Sequence, residues 1–130
     1  GILRIIEALK KDVPVFCVID EIFRGTNPVE RVAASAAILE YINKYNAITF
    51  VATHDRELTD MLKDKYEFRY FTENVDKKNG MTFDYKMKKG ISKTRNAIKV
   101  LEYVGYPKEI TDYSKEYAKE LDKISWSTYL

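Results

Sequence analysis

Cysteine, histidine and tryptophan occur once each in the 130 residues, proline three times and glycine five times. One cysteine makes no intrachain disulfide, so a disulfide-stapled secreted scaffold is excluded. Nothing near Gly1 joins a basic start to a long apolar run, so a secreted scaffold is not expected and a reducing cytoplasm is the default compartment. No stretch approaches the roughly 18 consecutive apolar residues that a membrane span needs, so no membrane partner is expected. A formal net charge of +2, from 22 Lys and Arg against 20 Asp and Glu, is too small for a general nucleic-acid-binding surface or a polybasic anchor. Repeats, low-complexity tracts and flexible linkers are also lacking. What is present is 45% hydrophobic and 13% aromatic residues, enough to build a real core and better suited to one soluble globular domain than to two.

Ile2, Leu3, Ile5, Ile6 and Leu9 recur at helical spacing over residues 2–11, and Asp12 and Pro14 break that helix. Val15-Phe16-Cys17-Val18-Ile19 then runs without a polar residue, the pattern of a parallel strand covered on both faces. Asn27-Pro28-Val29-Glu30 supplies an N-cap, a proline at the first helical position and an acidic residue three after the cap. The helix it opens carries Val32, Ala36, Leu39 and Ile42 as one apolar stripe. Ala47 to Ala52 form a second buried-type strand, so strand, helix and strand make a parallel crossover. A short helix with Leu58, Met61 and Leu62 follows. The period then changes to two through Tyr66, Phe68 and Tyr70, and again through Phe83, Tyr85 and Met87, with Asn79-Gly80 as the turn of an antiparallel hairpin. Two closing helices are expected, one over residues 94–104 stopped by Gly105, the other opened by Pro107 with Ile110, Tyr113, Tyr117, Leu121 and Ile124 as its stripe.

In an open α/β sheet, ligands bind beyond the carboxyl ends of the strands, and those ends carry Asp20-Glu21 and Thr53-His54-Asp55. Two acidic residues ending an apolar strand suit phosphoryl transfer: Asp20 to hold Mg²⁺ through its water shell, Glu21 to position or deprotonate the attacking water. The same dipeptide also serves simply to cap the next turn. His54 could donate to a γ-phosphate oxygen and sense its loss, or belong to a polar helix start with Asp55-Arg56-Glu57. Arg24-Gly25-Thr26 could set a cation and a free backbone beside phosphates. Cys17 reads as a small core residue. Lys86, Lys88, Lys89, Lys93 and Arg95 read as a solvated surface, and the last helix as core or as a partner-binding face.

Together, Val15 to Glu21 (Val-Phe-Cys-Val-Ile-Asp-Glu), Phe23 to Asn27 (Phe-Arg-Gly-Thr-Asn) and Val51 to Thr59 (Val-Ala-Thr-His-Asp-Arg-Glu-Leu-Thr) resemble the MutS family of DNA mismatch-repair ATPases. The later stretches Phe83 to Gly90, Thr94 to Ile98 and Gly105-Tyr106-Pro107 resemble the hairpin and closing helices of the same ATPase domain. The resemblance implies an α/β fold of the P-loop NTPase, ABC type. Asp20 and Glu21 then end its Walker B strand, Arg24, Gly25, Thr26 and Asn27 form the loop reaching an opposing subunit, and His54 is the switch histidine. A phosphate cradle needs a G-x-x-x-x-G-K-[ST] loop, and none occurs here. Residues 1–130 are therefore expected to be the C-terminal half of the ATPase domain. By this reading ATP and Mg²⁺ are the cofactors of the intact protein and are not bound by this piece alone. The implied partners are a second MutS-like subunit in a homodimer, and DNA through domains outside these residues. With its neighbouring strand absent, the edge at Ile48 to Val51 is expected to be open and apolar, covered by a second copy or a rearranged terminus. A non-catalytic assembly module is the alternative.

Overall fold

The computed structural model describes residues 1–93 and 95–124. Thr94, the first residue of an expected helix, and residues 125–130 lie outside that description. The chain falls into two compact units, Gly1–Glu67 and Phe68–Leu130. Among the described residues no helix is long and apolar enough to cross a membrane.

The first unit is built around a parallel strand pair. Helix α1 (Ile2–Leu9) ends where the chain turns through Asp12, whose φ of 55° is tolerated by a short polar side chain. Strand β1 (Val15–Asp20) pairs in parallel with β2 (Ala47–Ala52), in a register from Val15 opposite Ala47 to Asp20 opposite Ala52. Helix α2 (Pro28–Asn43) makes the crossover. Its start follows the expected signal, because the Asn27 side chain accepts the backbone N–H of Val29 at 2.9 Å and of Glu30 at 3.2 Å. Val32, Ala36, Leu39 and Ile42 are all buried, as their spacing implies. The short α3 (Glu57–Met61) packs against α2 and buries Leu58, with Leu62 just beyond it, whereas Met61 is exposed. The Tyr66 hydroxyl donates to the Leu39 carbonyl at 2.7 Å, and Lys65 pairs with Glu40, drawing that carboxyl below its usual range.

The core lies on one face of the strand pair. Leu9 of α1, Cys17 and Ile19 of β1 and Ile42 of α2 form its buried centre, flanked by Ile2, Ile5, Ile38 and Val51. Cys17 is a core residue as expected, with its sulfur 3.1 Å from the Thr49 hydroxyl. The expectation that β1 is covered on both faces fails. Phe16 and Val18 are each 67% exposed, and Ile48 and Phe50 beside them 63% and 60%. The cause is that α1 and α2 both send their apolar residues to the Cys17 and Ile19 face. Strand pleating puts alternate residues on the other face, which nothing covers among the described residues. β2 pairs only with β1 there, so its far edge is open.

The second unit departs from a simple hairpin. Strands β3 (Arg69–Tyr70) and β6 (Lys88–Lys89) pair antiparallel, as do β4 (Glu73–Asp76) and β5 (Gly80–Phe83). The expected alternation through Phe83, Tyr85 and Met87 is broken after β5. Asp84 accepts the Lys86 N–H at 3.0 Å and Tyr85 turns left-handed at φ 55°, so all three apolar side chains stand exposed. The hairpin turns over Lys77 to Asn79 rather than at Asn79-Gly80, with Gly80 already in β5 opposite Asp76. Asp76 accepts the N–H groups of Lys78 (2.8 Å) and Asn79 (2.5 Å), which lowers its pKa. Gly80, at φ 69°, leaves room for Tyr103, since a Cβ would come within 2.7 Å of that ring. Helix α4 (Ala97–Val104) ends at Gly105, left-handed at φ 97°, and α5 (Lys108–Lys123) follows Pro107. Buried Asn96 donates to the carbonyl and the carboxylate of Glu73, at 3.0 and 3.1 Å, tying α4 to β4. Ile110, Tyr113, Tyr117 and Leu121 of the last helix, and Ile124 just beyond it, are exposed rather than core.

Candidate functional site

The parallel register brings the carboxyl ends of β1 and β2 level, because Asp20 stands opposite Ala52. Whatever follows the two strands therefore shares one end of the sheet. Glu21 leaves β1 with a left-handed backbone, φ 59°, and its N–H donates to the Ala52 carbonyl at 2.9 Å. That turn sets the Glu21 carboxylate facing the residues after β2, with Oε1 3.6 Å from His54 Nε2. The two side chains differ in environment: Glu21 is 17% exposed and the imidazole 99%. Asp20 is exposed at the strand terminus.

An open cleft of about 560 Å³ is lined by Asp20, Glu21, Phe23, Arg24, Gly25, Arg31, His54 and Asp55. Asp20, Glu21, Arg24, Gly25 and His54 are thus brought together as the sequence implied. Gly25 is left-handed at φ 65° with open space around its α-carbon, which leaves its backbone approachable. Thr26 is exposed and does not line the cleft, and the Asn27 side chain is engaged in capping α2.

Arg31 was not foreseen. From the second turn of α2 its guanidinium reaches across 24 residues of sequence to Asp55, Nε donating to Oδ2 at 3.0 Å and Nη2 to Oδ1 at 2.6 Å. The bonds to Asp55, more than the nearby Glu21 and Glu57 charges, raise the Arg31 pKa. No local pattern marks such a pair. The one available signal was an acidic residue directly after the lone histidine. Asp55 is also drawn into a turn, its N–H donating to the Thr53 hydroxyl at 3.0 Å.

Among the described residues no group of three or more His, Cys, Asp and Glu side chains is placed to hold a metal ion. Asp20 and Glu21 supply two hard carboxylates, a donor set that suits a Mg²⁺ ion retaining most of its water.

Residues 3–122 match the family described as MutS domain V. The chain belongs to the MutS family. It is 36% identical over 107 residues to the DNA mismatch repair protein MutS of Aquifex pyrophilus, covering 81% of this chain and 12% of that protein. The DNA mismatch repair protein MutS of Finegoldia magna is 34% identical over 108 residues, 82% of this chain and 13% of the relative. Endonuclease MutS2 of Fusobacterium nucleatum is 26% identical over 130 residues, 95% of this chain and 15% of the relative. This MutS-family chain therefore spans about one-eighth of the length of such relatives. Every residue lining the cleft lies within the matched span.

Proposed function

We propose that this chain is the carboxylate- and histidine-bearing half of an ATP-hydrolysing site in a MutS-family protein of DNA mismatch repair or a related DNA transaction. The observation that carries the reading is the convergence of Asp20, Glu21 and His54 at one end of the β1 and β2 pair, with Glu21 and His54 3.6 Å apart. On this reading the fold is the second half of an ABC-type P-loop NTPase. Asp20 is its metal-side carboxylate, acting through a water shell. Glu21 orients the attacking water and takes its proton. His54 donates to a terminal phosphate oxygen and registers its departure. When bound, Mg²⁺ supplies positive charge to the phosphate oxygens. Arg24 and Gly25 face the same cleft, and the loop through Thr26 to Asn27 is the part that reaches a second MutS-like subunit in a homodimer. DNA is held elsewhere in the protein, which is cytoplasmic.

The test is Glu21→Gln in the complete protein. Nucleotide binding is expected to survive while turnover falls by roughly 10²–10⁴-fold, the range of a lost general base. Unchanged turnover rejects the assignment. It would favour the second reading, a non-catalytic assembly module, for which the exposed face of Phe16, Val18, Ile48 and Phe50 is the specific observation.

A further inference from the structure

The His54 imidazole is 99% exposed, so no packing holds it beside Glu21. Its position depends on the backbone that carries it. That backbone leaves β2 at Ala52 and turns at once, with the Asp55 N–H on the Thr53 hydroxyl at 3.0 Å. The Asp55 whose N–H closes that turn is itself gripped by its carboxylate, which accepts two bonds from Arg31 at 3.0 and 2.6 Å. The Arg31 and Asp55 side chains are 23% and 11% exposed, whereas those of the surface pair Arg95 and Asp122 are 63% and 53% exposed. A shielded fork of this kind fixes orientation as well as distance, which a lysine cannot do.

We propose that Arg31 is a positioning residue, which grips Asp55 and thereby holds His54 in register with Glu21. Arg31 touches neither reacting atom in this role. It sits one turn beyond the Asn27 cap, so the same helix end that terminates the 24–27 loop also fixes the histidine segment. The proposal rests on the ATPase reading given above and deepens it.

The experiment uses the complete protein that contains this chain, with Arg31→Gln, Arg31→Lys, Asp55→Asn and the Arg31→Gln/Asp55→Asn double variant. Steady-state ATP turnover and amide hydrogen exchange are measured on each. Arg31→Gln is expected to lower kcat by about tenfold or more while KM changes less than about threefold, because misplacement of a catalytic group acts on the chemical step. Arg31→Lys should fall between the parent and Arg31→Gln. Exchange at residues 53–56 should rise in Arg31→Gln and Asp55→Asn. The double variant should be no slower than the worse single one, since both remove one interaction. A kcat for Arg31→Gln within about twofold of the parent, or two losses that multiply in the double variant, would overturn the proposal. Should Arg31→Gln fail to fold, Asp55→Asn decides, and its unchanged kcat overturns the proposal. Failure of the underlying reading looks different. Unchanged turnover in Glu21→Gln removes the ATPase assignment, and the grip is then judged by exchange alone, unaltered protection at residues 53–56 overturning it.

Discussion

Glu21 holds a left-handed backbone, φ 59°, that costs a non-glycine residue about 1–2 kcal/mol. The cost is borne at the position where the carboxylate meets His54, which is where strain tied to function is commonly found. Tyr66 shows the opposite case, a half-buried polar group satisfied by a hydrogen bond. Its hydroxyl donates to the Leu39 carbonyl at 2.7 Å, and burial pushes its pKa from 10.0 up to about 12. A group whose folded pKa is raised contributes stability that is fully present below the unfolded value and is lost as pH rises through the folded one. Tyr66→Phe is therefore expected to cost about 0.5–1.5 kcal/mol at neutral pH, the usual net worth of such a hydrogen bond. That gap should close and then reverse as pH climbs from 10 towards about 12, because the unfolded hydroxyl ionises first and a shift of this size outweighs the bond. Denaturant melts of both proteins across that window check it, and a gap of constant size would refute the assignment.

Helix α2 is where an element's local chemistry and its place beside the site meet. Asn27 was read from sequence both as a helix cap and as part of a loop reaching another subunit, and its side chain serves the first role through the Val29 and Glu30 amides. Asn27→Ala is expected to destabilise the chain by about 0.5–2 kcal/mol, and Asn27→Ser to recover most of that loss. Chemical denaturation decides, and equal stability for Ala and Ser would show that the cap carries no weight. The cap was legible because its signal lies within four residues, and α1, β1, β2 and the α4 stop at Gly105 were legible for the same reason. Asp20, Glu21 and His54 could be grouped because a parallel crossover places strand ends together whatever the loops do. Arg31 and Asp55 could not be paired, since nothing local relates residues 24 apart. The breaks in the hairpin also escaped: alternation at Phe83, Tyr85 and Met87 records apolarity but not the Asp84 turn that bends the chain. The α5 stripe shows the limit of periodicity, which identifies an apolar face but not what covers it.

At the scale of the whole molecule, the uncovered face of β1 and β2 dominates what the isolated chain should do. Phe16, Val18, Ile48 and Phe50 stand together at 60–67% exposure, with the Phe16 and Phe50 rings 5.8 Å apart and tilted by 60°. Strands apolar on both faces belong in sheets covered on both sides, and this pair has helices on one. Two copies meeting through this face would shield eight such side chains. Full burial of a wholly exposed side chain is worth roughly 1.5–3 kcal/mol; with 60–67% of each still to bury, the eight total about 7–16 kcal/mol, comparable with the roughly 4–15 kcal/mol that association costs. The balance favours weak, concentration-dependent self-association of the 130-residue chain, reinforced by the open edge of β2, which offers unpaired backbone groups. Sedimentation velocity over a concentration series should show mass rising with concentration. The double variant Phe16→Thr/Phe50→Thr should stay monomeric and folded, because threonine keeps strand propensity while removing the apolar surface. A parent chain that remains monomeric throughout, with ordinary exchange protection on the outer amides of β2, would mean that this face is closed by the chain itself.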